Sequence, residues 1–344
     1  MKLFHQYIKP FSDRLAGIRV EKLQLEEYPA KYLEQLLHHK IYYLHMYAAV
    51  LDAVVGQGGL KKEHLVLIDY GCGNGLLGLF AKFCGCKQVY LNDHNHQFLE
   101  AAKQLSKALH IEVDAFIEGD IIEVESFFAN IPKPTALIAT DVIEHIYNLE
   151  EFFAIIARLN NKMVNVFTTA SVTANYFKSK QLIKLQYKDE HVGSNALHAL
   201  LEDVYAGLPF KLIREEIIKS YAPTLSTEAL AGLSTATRGL NRADILQAVD
   251  AFQLSGKMPE APAHATNTCD PITGSWTERL LTIKEYRKLY NEAGFNLSVS
   301  NGFYNEWQGG AKSIVLKQVN IVLRLMGTRG RFITPFLILM GKRG

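Results

Sequence analysis

The chain has 344 residues, 48% of them apolar and 21% charged, which supplies a large buried core and excludes wholesale disorder. Its 37 Lys and Arg against 35 Asp and Glu leave a formal net charge of +2, so the overall balance gives no case for nucleic acid as a partner. The cysteines Cys72, Cys84, Cys86 and Cys269 form no disulfide framework. The start has no apolar run of signal-peptide length, and basic residues, Gly327 and Pro335 interrupt the apolar stretches near the end; the expectation is a reduced, cytoplasmic chain without a transmembrane helix.

From about Tyr32 to Val55, Leu36, Leu37, Ile41, Met46, Val50, Leu51 and Val54 recur at helical spacing and predict one long helix capped by Gly56. His38, His39, Tyr42, Tyr43, His45 and Tyr47 crowd this segment, either as aromatic edges packed on a sheet or, in part, as the wall of a ligand pocket; Tyr43, with Tyr42 and His39, is a candidate to close over that pocket. Residues 1–56 read as an N-terminal helical extension.

Strands and helices then alternate. "HLVLID", "KQVYLND", "VDAFIEGD", "TALIATDV" and "KMVNVFTT" read as strands, separated by helices over "GLLGLFAKFCG", "QFLEAAKQLSKAL" and "NLEEFFAIIARL", the last with Asn148 as N-cap. Such alternation predicts an α/β fold: a Rossmann-like, seven-stranded, mostly parallel sheet whose strand C-termini share one edge. The pattern breaks after Thr169. Residues 170–275 read as a largely helical insertion or lid, including "NALHALLEDVYAG", "NRADILQAVDAF" and a Pro-, Ala- and Thr-rich loop. A helix over "KEYRKLYNEAGF", strands in "FNLSVSNGFYN" and "FITPFLILMGKR" and an apolar helix between them complete the core, which comprises 57–169 and 276–344.

The first strand runs into "DYGCGNGLLG", which holds two overlapping glycine patterns. Counted from Gly73 it is the G-x-G-x-x-G of a dinucleotide site, with Asp93 about 20 residues on, and an NAD-dependent oxidoreductase is the alternative this leaves. That register buries Asp69 inside a parallel strand, at a cost of several kcal/mol for an unpartnered carboxylate. Counted from Asp69, the strand ends at the acid, which emerges where an amino group can pair with it, and Gly71, Gly73 and Gly75 let the backbone turn under a bulky ligand. The acid-first register is favoured. Asp93, Asp120 and Asp141 then end the second, third and fourth strands along the same edge, and Glu144 and His145 follow Asp141.

In these motifs the chain resembles the class I S-adenosylmethionine-dependent methyltransferases, and is most similar to the broad small-molecule group with an E-H pair after the fourth strand. The resemblance covers about Glu63 to Thr169 and resumes near Thr277. It implies S-adenosylmethionine as cofactor and S-adenosylhomocysteine (SAH) as product. Asp69, Gly71, Gly73 and Gly75 would form the cofactor turn, Asp93 would bind ribose, Asp120 and Ile121 would hold adenine, and Asp141 would lie near the methionine portion. The implied activity is methyl transfer to a small-molecule or lipid-like acceptor, O-methylation before N-methylation; a non-catalytic module of the same fold is the non-enzyme alternative.

His145 is the candidate base, with Glu144 as its orienter or a cofactor contact, and His191 is a second candidate; the bland reading makes Glu144 and His145 loop caps and His191 a surface residue. "NDHNH" and "HATNTCD" contain metal-ligand types without metal-site spacing, so no metal is expected. After Glu306 the chain has no acidic residue, and Lys312, Lys317, Arg324, Arg329, Arg331, Lys342 and Arg343 stand among apolar ones. This tail suits an anionic substrate, weak peripheral contact with anionic lipid, or a plain solvated face. A homodimer is the assembly considered.

Overall fold

A computed structural model describes residues 2–193, 205 and 207–343, which divide into two compact units: Met1–Ile143 with Asn148–Ala170 and Thr282–Gly344, and Glu144–Tyr147 with Ser171–Leu281. The first unit opens with helices α1 (Ile8–Leu15), α2 (Glu27–His38) and α3 (Lys40–Gly56). The expected single helix from Tyr32 to Val55 is therefore two. His39 leaves helical geometry (φ −109°, ψ 22°) and serves both as C-cap of α2 and as N-cap of α3. The break lets α2 lean away, setting Tyr28 and Tyr32 edge-on against Phe98 and burying Leu33 and Leu36. By contrast α3 is apolar on nearly all sides, as a helix packed between the sheet and neighbouring helices should be, and buries Met46, Tyr47, Val50, Leu51 and Val54.

After α3 come β1 (Val66–Tyr70), α4 (Leu76–Phe83), β2 (Gln88–Asp93), α5 (His96–Leu109), β3 (Ala115–Glu118), α6 (Ile121–Phe127), β4 (Ala136–Thr140), α7 (Leu149–Leu159) and β5 (Val164–Thr169). Asparagine side chains start two of these helices. Asn95 accepts from the Gln97 and Phe98 amides, and Asn148 accepts from Glu151 N, as the sequence suggests. In β1, Leu67 and Ile68 are fully buried, the uninterrupted apolar run expected of a central parallel strand.

In the second unit, α8 (Tyr176–His191), α9 (Phe210–Tyr221), α10 (Thr227–Ala236) and α11 (Arg242–Ser255) are helical, and Phe210, Ile213, Ile217, Leu233, Ile245 and Val249 form its core. Arg214 is fully buried there, its guanidinium donating to both Glu190 carboxylate oxygens and to the Ser234 carbonyl, so the buried charges are paired and hydrogen-bonded. The expected helix over "NRADILQAVDAF" is α11, started by the Asn241 side chain; "NALHALLEDVYAG" falls almost wholly outside the described residues.

The first unit resumes with α12 (Ile283–Glu292), which a Thr282–Glu285 capping box begins, then β6 (Asn296–Asn301), α13 (Gly310–Leu325) and β7 (Leu337–Lys342). The seven strands form one sheet in the order β3-β2-β1-β4-β5-β7-β6. β1 to β5 pair in parallel, while β7 inserts antiparallel between β5 and β6. The strand order reverses between β1 and β4, so a crevice opens beyond the C-terminal end of β1.

Gly78 holds α4 against the sheet. A Cβ there would meet Leu91 Cδ2 at 2.1 Å and Asp69 Oδ2 at 3.1 Å. In an exposed helix, Gly to Ala gains about 1 kcal/mol; here overpacking of roughly 1–3 kcal/mol wins. Gly78→Ala is therefore expected to lower the midpoint of urea unfolding despite the better helix former, and a raised midpoint would show that α4 has room to move.

Candidate functional site

The crevice is floored by the turn between β1 and α4. Gly71, Gly73 and Gly75 all have positive φ (+62°, +52° and +73°), which residues with a Cβ adopt only under strain. Space imposes the same choice: a Cβ on Gly71 would lie 2.8 Å from Val142 Cγ2, and one on Gly75 2.8 Å from Leu91 Cδ1. The turn is tied down by Cys72 N donating to Asn92 O (2.8 Å), Gly75 N donating to Cys72 O (2.8 Å) and Asn74 Nδ2 donating to the Pro29 carbonyl of α2 (3.1 Å).

Two carboxylates hold this turn from behind. Asp69 is 2% exposed, and its Oδ2 accepts from Gly78 N at 2.8 Å, so it caps α4 from the neighbouring strand, a duty the N-cap residue Gly75 has no side chain to perform. Burial pushes the Asp69 carboxyl up to about 8, the Gly78 amide opposes the shift, and the charge of Asp93 adds to it. The expectation that the acid emerges freely at the strand end is thus corrected: it stays under the turn. Asp93 is 5% exposed; its Oδ2 accepts from Gly73 N (2.8 Å) and its Oδ1 from Asn95 N (2.9 Å). Burial also raises the Asp93 carboxyl from its ordinary value, and the two amides work against that rise. Sequence reasoning leaves both oxygens free for a ligand, whereas here each already accepts a backbone N–H.

A cavity of about 30 Å³ sits above the turn and is lined by Asp69, Gly71, Gly73, Tyr32, Leu36 and Tyr47, among others. Tyr32 and Leu36, at i and i+4 on α2, belong to this lining, and a Cβ on Gly73 would touch Tyr32 Cε1 at 3.5 Å. Tyr32 stays 38% exposed over the whole residue, but its hydroxyl is desolvated and, facing Asp141 as well, is held well above its ordinary value. Burial and then the same carboxylate raise the hydroxyls of Tyr42 and Tyr43. Tyr43 lies on α3 with its ring beside those of Tyr42 and Tyr47. Sequence reading singles out Tyr42, Tyr43 and His39 as covering residues and misses Tyr32 and Leu36. The helical spacing of those two was the available signal, hidden because a straight helix would have carried them elsewhere.

Asp141, at the end of β4, has φ +54°, unusual for a non-glycine residue; Thr168 steadies it, its hydroxyl donating to Asp141 Oδ1 at 3.3 Å while the Asp141 amide donates to Thr168 Oγ1 at 3.2 Å. Asp120 is the N-cap of α6: its Oδ1 accepts from Ile122 N (2.6 Å), and Glu123 reaches back to the Asp120 amide to close a capping box. Ile121 is buried as the first residue of that helix. The structure thus assembles Asp69, Gly71, Gly73, Gly75 and Asp93 around one turn and sets Asp120 and Asp141 at the ends of their strands.

Glu144, His145 and His191 belong to the second unit. His145 Nδ1 lies 2.8 Å from the Trp276 carbonyl oxygen, which can only accept, so Nδ1 carries a proton and Nε2 keeps its lone pair in the neutral ring. Glu144 is 1% exposed, and its backbone carbonyl accepts from Arg279 N. His191 is exposed at the end of α8, its ring against Tyr187. Among the described residues no group of three or more His, Cys, Asp or Glu is arranged to hold a metal ion.

Compared with known proteins, residues 61–208 match the family model described as a methyltransferase domain. The ribosomal protein L11 methyltransferase of Psychrobacter sp. (strain PRwf-1) is 40% identical over 86 residues, 22% of this chain and 28% of that one. The chain thus spans under a third of the length of that curated relative. Among solved structures, magnesium protoporphyrin IX methyltransferase from Synechocystis PCC 6803 with bound SAH aligns over 98% of this chain and 96% of its own, at 15% identity and a TM-score of 0.39. An S-adenosylmethionine dependent methyltransferase from Mesorhizobium loti aligns over 86% and 100%, at 11% identity and a TM-score of 0.40.

The buried Asp69 carboxyl makes a prediction about stability. Because its folded pKa of about 8 lies above the ordinary 3.8, the folded state holds a proton that the unfolded state releases, and stability contributed by this group falls as pH rises from about 4 to 8. The slope is at most about 1.4 kcal/mol per pH unit. Asp69→Asn keeps an oxygen for Gly78 N and is expected to remove that component, so the variant gains stability over the parent as pH is raised, read by thermal melting across the range. Parallel curves for the two proteins would refute the assignment.

Proposed function

We propose that this chain, whose residues 61–208 match a methyltransferase-domain model, is a class I S-adenosylmethionine-dependent methyltransferase that transfers the methyl group to a hydroxyl of a small-molecule or lipid-like acceptor. When bound, the cofactor supplies a methyl group on a positively charged sulfonium, ready for in-line displacement. The residues present fit such a ligand. Asp69 offers a buried carboxylate beside the cavity for a cationic amino group, Asp93 is the carboxylate assigned to the ribose hydroxyls, and the three glycines leave the backbone bare for close approach. Asp120 and Ile121 are assigned to the adenine, Asp141 to the methionine portion, and Tyr43 to the cover over the cofactor. The NAD alternative loses its ground with the sheet, since a dinucleotide fold of this type runs 3-2-1-4-5-6 and has no antiparallel strand inserted between β5 and β6.

The observation that carries the choice of oxygen is the tautomer of His145. With Nδ1 donating to Trp276 O, the free Nε2 suits removal of a hydroxyl proton as the methyl group is transferred, a service an already nucleophilic neutral amine does not need. Glu144 adjoins it as a positioning residue. The name of the ribosomal relative points to a protein acceptor, but the shared stretch is 28% of that protein and does not bring its acceptor with it.

Two variants separate the roles. Asp93→Ala is expected to weaken SAH binding by more than about tenfold in calorimetry; Asp93→Asn, which keeps one acceptor for the backbone, controls for loss of the turn, and unchanged affinity in both would remove Asp93 from the ribose site. His145→Ala is expected to leave SAH binding intact and to slow turnover on hydroxyl-bearing acceptors, the loss shrinking as rising pH ionises the acceptor hydroxyl without help. Full activity in that variant across the pH range would rule it out as the base.

A further inference from the structure

The methyltransferase reading leaves α13 unused. The helix is fixed in its rotation by one side. Asn320 is 4% exposed, accepting from Tyr304 N (2.8 Å) and donating to Tyr304 O (2.9 Å) and Glu306 Oε2 (2.7 Å), and Leu323 is 2% exposed on the same face. With that side pinned, the opposite side faces outward. Ile314 (67% exposed), Val315 (60%), Val322 (50%) and Leu325 (82%) fall there, within a sector about 100° wide at 3.6 residues per turn. Phe332, 63% exposed, follows in the 3-10 turn Gly327–Phe332.

Large apolar side chains aligned on an exposed face call for a partner. The charges around them say which. Lys317 and Arg324 border the sector on one side and Lys312 on the other, Arg329 and Arg331 precede Phe332, and no Asp or Glu follows Glu306 in the chain. A second copy of the chain docked face to face through this strip would set the same cations against one another. An anionic lipid surface instead receives the apolar strip between head groups and neutralises the cations at its borders.

We propose that α13 is a membrane-surface helix that lies flat on anionic lipid, with Ile314, Val315, Val322 and Leu325 seated among the acyl boundary and Lys312, Lys317 and Arg324 at the phosphates. Sixteen residues give a helix about 24 Å long. That is enough to lie in the interface, and no described helix is long and apolar enough to cross the bilayer. The proposal stands independently of the methyl acceptor, because it rests on this face alone.

The test is co-sedimentation of the full chain with vesicles of phosphatidylcholine, with and without phosphatidylglycerol. Binding to the anionic vesicles, weakened by salt, is expected, with little to the neutral ones. Lys317→Gln combined with Arg324→Gln should reduce partitioning on the order of 30-fold, from about 1 kcal/mol per cation. Ile314→Ser combined with Leu325→Ser should abolish it, with SAH binding and thermal melting unchanged as checks on folding. Equal binding to both vesicle types, no binding to either, or a dimer in sedimentation velocity that the Ile314→Ser, Leu325→Ser protein no longer forms would overturn the proposal.

Discussion

A carboxylate kept dry beneath the start of a helix organises this molecule. Asp69 ends the apolar run of β1, caps α4 through Gly78 N and stays buried, and that single contact sets where the glycine turn lies. Desolvation makes it expensive, since the folded protein would rather hold the group protonated, while the α4 amide draws it the other way. Gly78 is the geometric condition for the arrangement, because any side chain there would drive the helix off Leu91 and Asp69. A cationic group brought into the cavity would favour the ionised form, so binding and the protonation of Asp69 are linked.

Asp93 extends the same logic to the next strand. By accepting from Gly73 N and Asn95 N it links the tip of the turn to the start of α5, so the backbone over which a ligand would lie is preorganised by two strands rather than by one loop. From the other side, α2 brings Tyr32 and Leu36 to the cavity, and Asn74 fastens the turn to the Pro29 carbonyl of that helix. Tyr32 and Leu36 therefore line the space beside the glycine turn together with Asp69.

Much of this is legible in the sequence where the cause is local. The apolar runs give the strands, Asn148 starts α7, and the order of acids at strand ends gives the parallel edge. The position of the glycine turn after the first strand is also legible, but the reason given for the acid-first register is not borne out: Asp69 does not end its strand but lies inside β1, one residue before its end, buried and used by α4. What escapes sequence reading depends on distant partners. The break at His39 leaves no Pro or Gly signal and follows from the packing of Tyr28 and Tyr32 on Phe98, some 60 to 70 positions away. The tautomer of His145 depends on a carbonyl at Trp276, and the backbone ties of Asp93 depend on a neighbouring strand, so neither is written near the residue concerned.

The account comes down to which ligand the turn after β1 receives. Calorimetric titration of the full chain at neutral pH with SAH, and separately with NADH, tests that most directly. The account predicts saturable binding of one SAH per chain and no heat beyond dilution for NADH. Tight binding of NADH with none of SAH would contradict it.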